Sequence, residues 1–204
     1  CKVYQFSSIG EDTPDLKYNG EPTTLSIGDH NIIREGVTIH RGTVQDQGQT
    51  VVGSHNLLMA YAHIGHDCVI GDNCILVNNA GLAGHVHIGD WGIVGAYAGV
   101  HQYCQIGAHS FIGGMAKVTQ DVPAFIVADG HPAIPRSINV EGLRRRGFNA
   151  DDIKALQTAY KIVYRRKLAL SDAVTQLAEL AEHSPVVNVL IDSIAASKRG
   201  IIRS

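Results

Sequence analysis

The sequence predicts a mainly β protein: a parallel β-helix of hexapeptide repeats followed by an α-helical C-terminal domain. Three observations carry this. Aliphatic residues recur every six positions through the middle of the chain. Glycine follows most of them. Beyond about residue 140 the six-residue beat gives way to a helical one.

Stepping by six from Val52 meets Leu58, Ile64, Ile70, Leu76, Leu82, Ile88, Val94, Val100, Ile106, Ile112 and Val118, every one aliphatic. With about a third of residues being Val, Ile, Leu or Met, chance does this on the order of once in a million tries. Gly follows at 53, 65, 71, 89, 95, 107 and 113. A period of six is neither 3.6 nor 2. It suits a short strand with one inward aliphatic residue, then a tight turn where Gly and Asn accept positive φ. Three hexads make a triangular coil, and coils stack at roughly 4.8 Å, one strand spacing. Residues eighteen apart therefore stack on one another.

Ile9, Ile27, Ile33 and Ile39 keep the step but not the phase. Insertions near 10–24 ("EDTPDLKYNGEPTT") and 40–51 ("HRGTVQDQGQT") shift it. Residues 120–140, with Pro123, Pro132 and Pro135, read as an extended connector. The β-helix is thus expected over 1–140 and the helical domain over 141–204. Asn149 is placed to cap a helix whose stripe is Ile153, Leu156, Tyr160 and Val163, with Asp151 and Asp152 at its positive end. Ser171 is expected to open a second helix, and Ser184-Pro185 a third with Pro at its first position. These short amphipathic helices must bury one face, and the last coils offer a surface that also needs its strand edges covered.

The 204 residues allow one large domain, or a domain with an appendage. A formal net charge of −2 gives no global field that would select nucleic acid. No apolar run is long enough to span a bilayer, and no signal peptide is visible. Cys1, Cys68, Cys74 and Cys104 form no CxxC pair, so a reducing cytoplasmic setting is the expectation. Cys68 and Cys74, six apart, fall on adjacent faces and are not expected to form a disulfide. The opening "CKVYQFSSIGEDTPDL" reads as the middle of a longer chain.

Several stretches then carry a resemblance. "QFSSIGEDTPDLKYNGEPTTLSIGDHNIIREGVTIHRGT", "NLLMAYAHIGHDC", "NNAGLAGHVHIGD", "GVHQYCQIG", "TQDVPAF" and "NVEGLRRRGF" run in order over essentially the whole chain. Together they resemble the acyl-carrier-protein–UDP-N-acetylglucosamine O-acyltransferase family of lipid A biosynthesis. Hexads alone would be unspecific; "IHRGT", "AHIGHDC" and "NVEGLRRRGF" are not. The resemblance implies a left hand for the coil and several more coils upstream of Cys1. It implies a homotrimer with sites between subunits, and no metal or prosthetic group. The implied partners are UDP-N-acetylglucosamine and acyl carrier protein, whose phosphopantetheine thioester delivers a 3-hydroxyacyl chain.

Residue by residue, the resemblance makes His66 the general base and Asp67 its support. It makes the Gly84 backbone N–H the oxyanion donor, and the stacking arithmetic puts 84 beside 66. His63 and His85 match positions contacting sugar and nucleotide. Asp15 and Lys17 match the nucleotide or acyl-hydroxyl region. Asn139, Glu141 and Arg145 match a nucleotide-binding stretch, and guanidinium forks suit a diphosphate. His101 and Gln102 match positions near the acyl chain and nucleotide. Gly114 matches a chain-length ruler; a small residue there implies a long 3-hydroxyacyl group of about twelve to fourteen carbons, each buried CH₂ contributing about 0.8 kcal/mol. One departure stands out: His131 is followed by Pro132 where family members often carry Asn-His.

Two other readings compete. A γ-class carbonic anhydrase-like zinc enzyme would use His63, His66 and His85 as ligands, but leaves "DLKYNGEP" and "LRRRGF" without a task. The sister N-acyltransferase of the same pathway shares the β-helix and a catalytic histidine, but fits "IHRGT" and the long helical tail less well.

Overall fold

The computed structural model describes residues 1–203. Its strands are β1 (Lys2–Val3), β2 (Ser8–Glu11), β3 (Thr24–Ile27), β4 (Ile32–Ile33), β5 (Thr38–His40), β6 (Gln49–Val52), β7 (Leu57–Leu58), β8 (His63–Ile64), β9 (Val69–Ile70), β10 (Ile75–Leu76), β11 (Gly81–Leu82), β12 (His87–Ile88), β13 (Ile93–Val94), β14 (Gly99–Val100), β15 (Gln105–Ile106), β16 (Phe111–Ile112), β17 (Lys117–Val118), β18 (Ile126–Asp129) and β19 (Ile134–Ile138). Four helices follow: α1 (Val140–Arg145), α2 (Ala150–Tyr164), α3 (Leu170–Ala181) and α4 (Val187–Ala195).

The strands form three sheets, and successive strands visit them in turn. The first face runs β1-β4-β7-β10-β13-β16-β18-β19, the second β17-β14-β11-β8-β5-β2, the third β15-β12-β9-β6-β3. In the uninterrupted coils partners are eighteen apart, as with Ile75 and Ile93. This is the left-handed parallel β-helix with a helical C-terminal end.

The period has a simple packing cause. The aliphatic residue of each hexad points inward, and Leu58, Ile64, Leu76, Leu82 and Ile112 are fully buried. Two residues before it lies a second inward row at the corners: Ala62, Cys68, Cys74, Ala80, Val86, Ala98, Cys104, Ser110 and Ala116. A triangular corner leaves room only for small side chains, and cysteine serves there as a small apolar one. Cys68, Cys74 and Cys104 are free thiols, as expected. Burial pushes Cys68 and Cys74 up to about 12 and Cys104 up to about 11, so none is a reactive thiolate.

The glycines do a different job from the expected one. The positive-φ position of the turns is filled by His55, Tyr61, Asp67, Asn73, Asn79, His85, Trp91, Tyr97, Tyr103, His109 and Met115. Gly65 and Gly95 instead allow coils to stack closely: a Cβ at Gly65 would meet the Gly84 nitrogen at 2.8 Å, and one at Gly95 the Gly114 nitrogen at 2.6 Å.

Both insertions leave from the second face and return on the third, so they emerge from the same corner as residues 65–68. The connector is more regular than its prolines suggested. β18 extends the first face in parallel, and β19 turns back antiparallel at its edge, where Pro135 costs no internal ladder bond. "NVEGLRR" forms the unforeseen helix α1, capped by Asn139, which accepts from Gly142 N.

Asn149 caps α2 by accepting from Asp152 N, and its stripe Ile153, Leu156, Tyr160 and Val163 is buried as expected. Helix α3 starts at Leu170 with Ala169 at its cap, not at a Ser171 cap. Leu170 is half-buried and in register with buried Ala173, Leu177 and Ala181, so packing sets the start. Helix α4 begins at Val187, two residues past Pro185; a tight turn with Val187 N bonded to Ser184 O intervenes.

The tail then returns to the coil. Buried Asp121 accepts from Ser197 Oγ (2.7 Å), Lys198 N (3.0 Å), Arg199 N (3.1 Å) and Gln105 N (2.8 Å). No helix among the described residues is long and apolar enough to cross a membrane.

Candidate active site

The corner between the second and third faces gathers most of the singled-out residues. His66, Gly84 and Gln102 occupy one turn position on three successive coils, eighteen apart. Asp67 and His85 follow the first two, and His63 and His101 sit on or beside the second face.

Asp67 anchors the site from inside. Its side chain is fully buried. Both carboxylate oxygens accept from Thr43 N, at 2.9 and 3.0 Å, and Thr43 Oγ1 donates to Oδ2 at 2.7 Å. Asp67 N donates to Thr50 Oγ1. A buried carboxylate so supplied with donors stays an acceptor. His66 Nδ1 lies 2.9 Å from Asp67 Oδ2. In the neutral ring this bond places the proton on Nδ1 and leaves Nε2 its lone pair. That nitrogen points across the coil at Gly84: a Cβ there would sit 2.5 Å from His66 Nε2 and 2.6 Å from Cε1. Glycine is needed at 84 because the imidazole occupies the space beside it. Among the described residues the Gly84 N–H makes no backbone hydrogen bond. Equivalent turn positions such as Ala60 share that property, so the facing imidazole is what singles Gly84 out.

Two more histidines frame the base. His85 Nδ1 pairs with Asp46 Oδ2 at 2.6 Å, and its ring meets His66 edge-on at 4.9 Å and stacks on Tyr103 at 4.2 Å. His63 Nδ1 bonds Thr38 Oγ1 at 2.7 Å, and its ring lies 5.4 Å from that of His40. Burial pushes His63 below the usual imidazole range, with His40 and His66 adding in the same direction. His63 is thus neutral near pH 7, fit to hydrogen-bond rather than to pair with a charge.

Below this corner the second face is a groove. The outward positions of β8, β11, β14 and β17 are His63, Gly81, Gly99 and Lys117. The two glycines face open space, so the floor is bare. A hollow of about 430 Å³ lies over them, walled also by Leu82, Val100, His101 and Val118. It adjoins another lined by Tyr97, Met115 and His131. Gly114 stands at that far corner, where a Cβ would approach Ala96 O at 3.3 Å.

The remaining residues lie in the first insertion and at another corner. Asp15 and Lys17 lie in the first insertion, where Asp15 Oδ1 accepts from Lys17 N. Asn139, Glu141 and Arg145 lie at a different corner, between the third and first faces. There Asn139 is mostly spent on structure, bonding His109 O and capping α1. Glu141 pairs with Arg144 at 2.6 Å, and Arg145 is exposed.

Sequence reasoning overlooked Thr43, which was present in "IHRGT" and orients Asp67. It also overlooked Asp46 and His40. Asp46 had no signal, because it lies in an insertion outside the beat. The zinc arrangement does not form as pictured. The donor group that does assemble is His66, Asp67 and His85, with atoms within 4.8 Å of one another, and His63 is outside it. Its His66 Nδ1 and Asp67 Oδ2 already hydrogen-bond each other.

Comparison with known proteins follows the same lines. The family model described as UDP-N-acetylglucosamine O-acyltransferase, domain 2, matches residues 121–202, and the bacterial transferase hexapeptide model of six repeats matches 49–84. The protein named acyl-[acyl-carrier-protein]–UDP-N-acetylglucosamine O-acyltransferase in Stutzerimonas stutzeri is 63% identical over 202 residues, 99% of this chain and 78% of the relative. Its namesake in Pseudomonas aeruginosa is 61% identical over the same shares. The crystal structure of UDP-N-acetylglucosamine O-acyltransferase from Moraxella catarrhalis superposes with a TM-score of 0.96 at 51% identity, covering 99% of this chain and 79% of that one. The Campylobacter jejuni UDP-N-acetylglucosamine acyltransferase gives 0.92 at 37% identity, covering 99% and 78%.

Proposed function

The chain belongs to the acyl-[acyl-carrier-protein]–UDP-N-acetylglucosamine O-acyltransferase family, and from that premise we propose how its own residues carry the transfer. The protein moves an acyl chain from acyl carrier protein to UDP-N-acetylglucosamine, the first step of lipid A biosynthesis. The glucosamine 3-oxygen attacks the thioester carbonyl carbon while His66 Nε2 takes its proton. The carbonyl electrons move to oxygen, and the Gly84 N–H donates to that oxyanion. On collapse the carbon–sulfur bond breaks, and the imidazolium returns its proton to the departing thiolate. Asp67 stabilises the imidazolium in between. The observation that carries this is the buried Asp67 holding Nδ1 while Nε2 faces Gly84. A positioned base of this kind contributes roughly 10²–10⁴-fold. The second-face groove, ending at Gly114, takes the acyl chain. No metal or prosthetic group enters the scheme.

A mass-spectrometric transfer assay tests it, with UDP-N-acetylglucosamine and 3-hydroxyacyl carrier proteins of ten, twelve and fourteen carbons, about 0.8 kcal/mol separating each CH₂. Wild type is expected to favour the longer chains and Gly114→Met the ten-carbon one. No product with any donor would refute the reaction; an unchanged preference in the variant would refute the ruler.

The assembly proposed is a cytoplasmic homotrimer. His66 and Arg145 lie at different corners of one prism, so a site using both needs a neighbouring copy. The first face also carries an outward apolar row of Ile32, Leu57, Ile75, Ile93 and Phe111, a surface suited to burial between copies. Sedimentation is expected at three times the 21.9 kDa chain mass. A fully active monomer would contradict it.

A further inference from the structure

The hollow of about 430 Å³ over Gly81 and Gly99 does not end the second-face groove. Beyond it lies another of about 500 Å³, lined by Tyr97, Met115, Ala116 and His131. Both fall within the range of ligand sites, roughly 300–1,000 Å³. Two residues line both hollows, Gly99 and Lys117, and they form the threshold between them. Gly99 obstructs nothing, since even a Cβ there would meet no atom within 4 Å. Lys117 is thus the one side chain that both hollows share.

The repeat puts it there. His63, Gly81, Gly99 and Lys117 are successive strand partners and point out of the second face. The column begins beside the base, passes two bare positions and ends on a long side chain. Strand β17 is the edge of its sheet, so no further coil carries the floor on. Its backbone is fastened from that side: Lys117 N donates to Gly130 O at 3.0 Å, and Lys117 O accepts from Ala133 N at 2.8 Å. Only the side chain is free to move, and it is exposed. Among the described residues no carboxylate lies within ion-pair distance of its ammonium, so no salt bridge draws it out of the groove. A lysine so placed lays its methylene stem on apolar surface and keeps its head in water. The surface at hand is that of Gly99, Val100, Val118, Ala116 and Met115.

Resting on the acyl-transfer reading and its second-face groove, we propose that Lys117 is a specificity-determining residue whose stem closes this threshold and sets the upper limit of acyl length. Its action is separate from that of Gly114. Gly114 acts through a missing side chain, which lets an acyl chain run to the far corner. Lys117 acts through a side chain that is present, which keeps a longer one out of the second hollow. The stem and not the charge is the barrier, because the ammonium has open water to occupy. An acyl chain too long for the first hollow must lift the stem off its apolar bed or leave its last carbons in water. Either way those carbons lose the gain that burial gives each CH₂.

The test is steady-state kinetics on the full chain with Lys117→Gly, Lys117→Ala and Lys117→Met, using 3-hydroxyacyl carrier proteins of twelve, fourteen and sixteen carbons. The readout is the ratio of kcat/KM for the sixteen-carbon donor to that for the fourteen-carbon one, from which any general loss of turnover or stability cancels. Glycine extends the bare floor and is expected to raise that ratio about tenfold, the worth of two buried CH₂ groups. Alanine should raise it nearly as far, at less cost to the strand than glycine. Methionine keeps most of the stem without the charge, and should hold the wild-type ratio within about twofold. An unchanged ratio with glycine and alanine would overturn the proposal. So would a methionine ratio as high as that of glycine, since the charge would then hold the threshold. Inactivity of the wild type with every donor would instead refute the acyl-transfer reading, and this inference with it.

Discussion

His66→Gln is expected to lower kcat by about 10²–10⁴-fold while leaving both KM values within a few-fold. The side chain is 17% exposed and its one bond is to Asp67, so little packing is lost. Thermal unfolding should shift by only a few degrees. Glutamine can still donate to Asp67, but it places no basic nitrogen over Gly84. The residual rate should therefore lose any dependence on imidazole protonation. Rapid-quench measurement of the transfer step, with unfolding followed in parallel, checks both halves. Undiminished turnover in a folded variant would remove His66 as the base and reopen the corner to another candidate, with His85 first in line.

Gly84→Ala is expected to cost on the order of 10²-fold in kcat without unfolding the coil, because displacement by about an ångström is enough for that. The added methyl would meet His66 Nε2 at 2.5 Å. The backbone at 84 is not left-handed, so alanine brings no strain of its own. The imidazole cannot simply swing away, since Nδ1 is held by Asp67. Alanine keeps the backbone N–H, so the loss reports displacement of the base rather than loss of the oxyanion donor. The double variant His66→Gln/Gly84→Ala should be no slower than His66→Gln alone, because both changes remove one function. Additive losses would show that position 84 acts independently of the imidazole, against the geometry above.

Much of this architecture was legible in the primary structure. An inward aliphatic residue every six positions can be satisfied only by a triangular coil, and that coil stacks residue 84 on residue 66. Pairing eighteen apart follows from the same arithmetic. The α2 stripe and its Asn149 cap follow from local rules that need no tertiary context. The candidacy of His66 as base, with Asp67 beside it, came through resemblance in "AHIGHDC", not through the period.

The rest depended on contacts between segments remote in sequence. Helix α1 was hidden because its cap, Asn139, is stabilised by His109, thirty residues earlier. The start of α3 moved because burial of Leu170 outweighed a serine cap. The glycines were assigned to the wrong physical task, since only stacked coils reveal that Gly65 and Gly95 are pressed by the next backbone. Thr43 and Asp46 lie in an insertion with no period to place them, and only the fold sets them against Asp67 and His85.

The sequence by itself thus determined the coil, its register and the candidate base, because a strict repeat converts spacing directly into position. Only the tertiary structure decided which corner each insertion and tail residue reaches. It brought Thr43 and Asp46 toward His66 and His85, and left Asn139, Glu141 and Arg145 at another corner. The physical reason is that insertions and helices are placed by burial and hydrogen bonding across long loops, which no local spacing encodes.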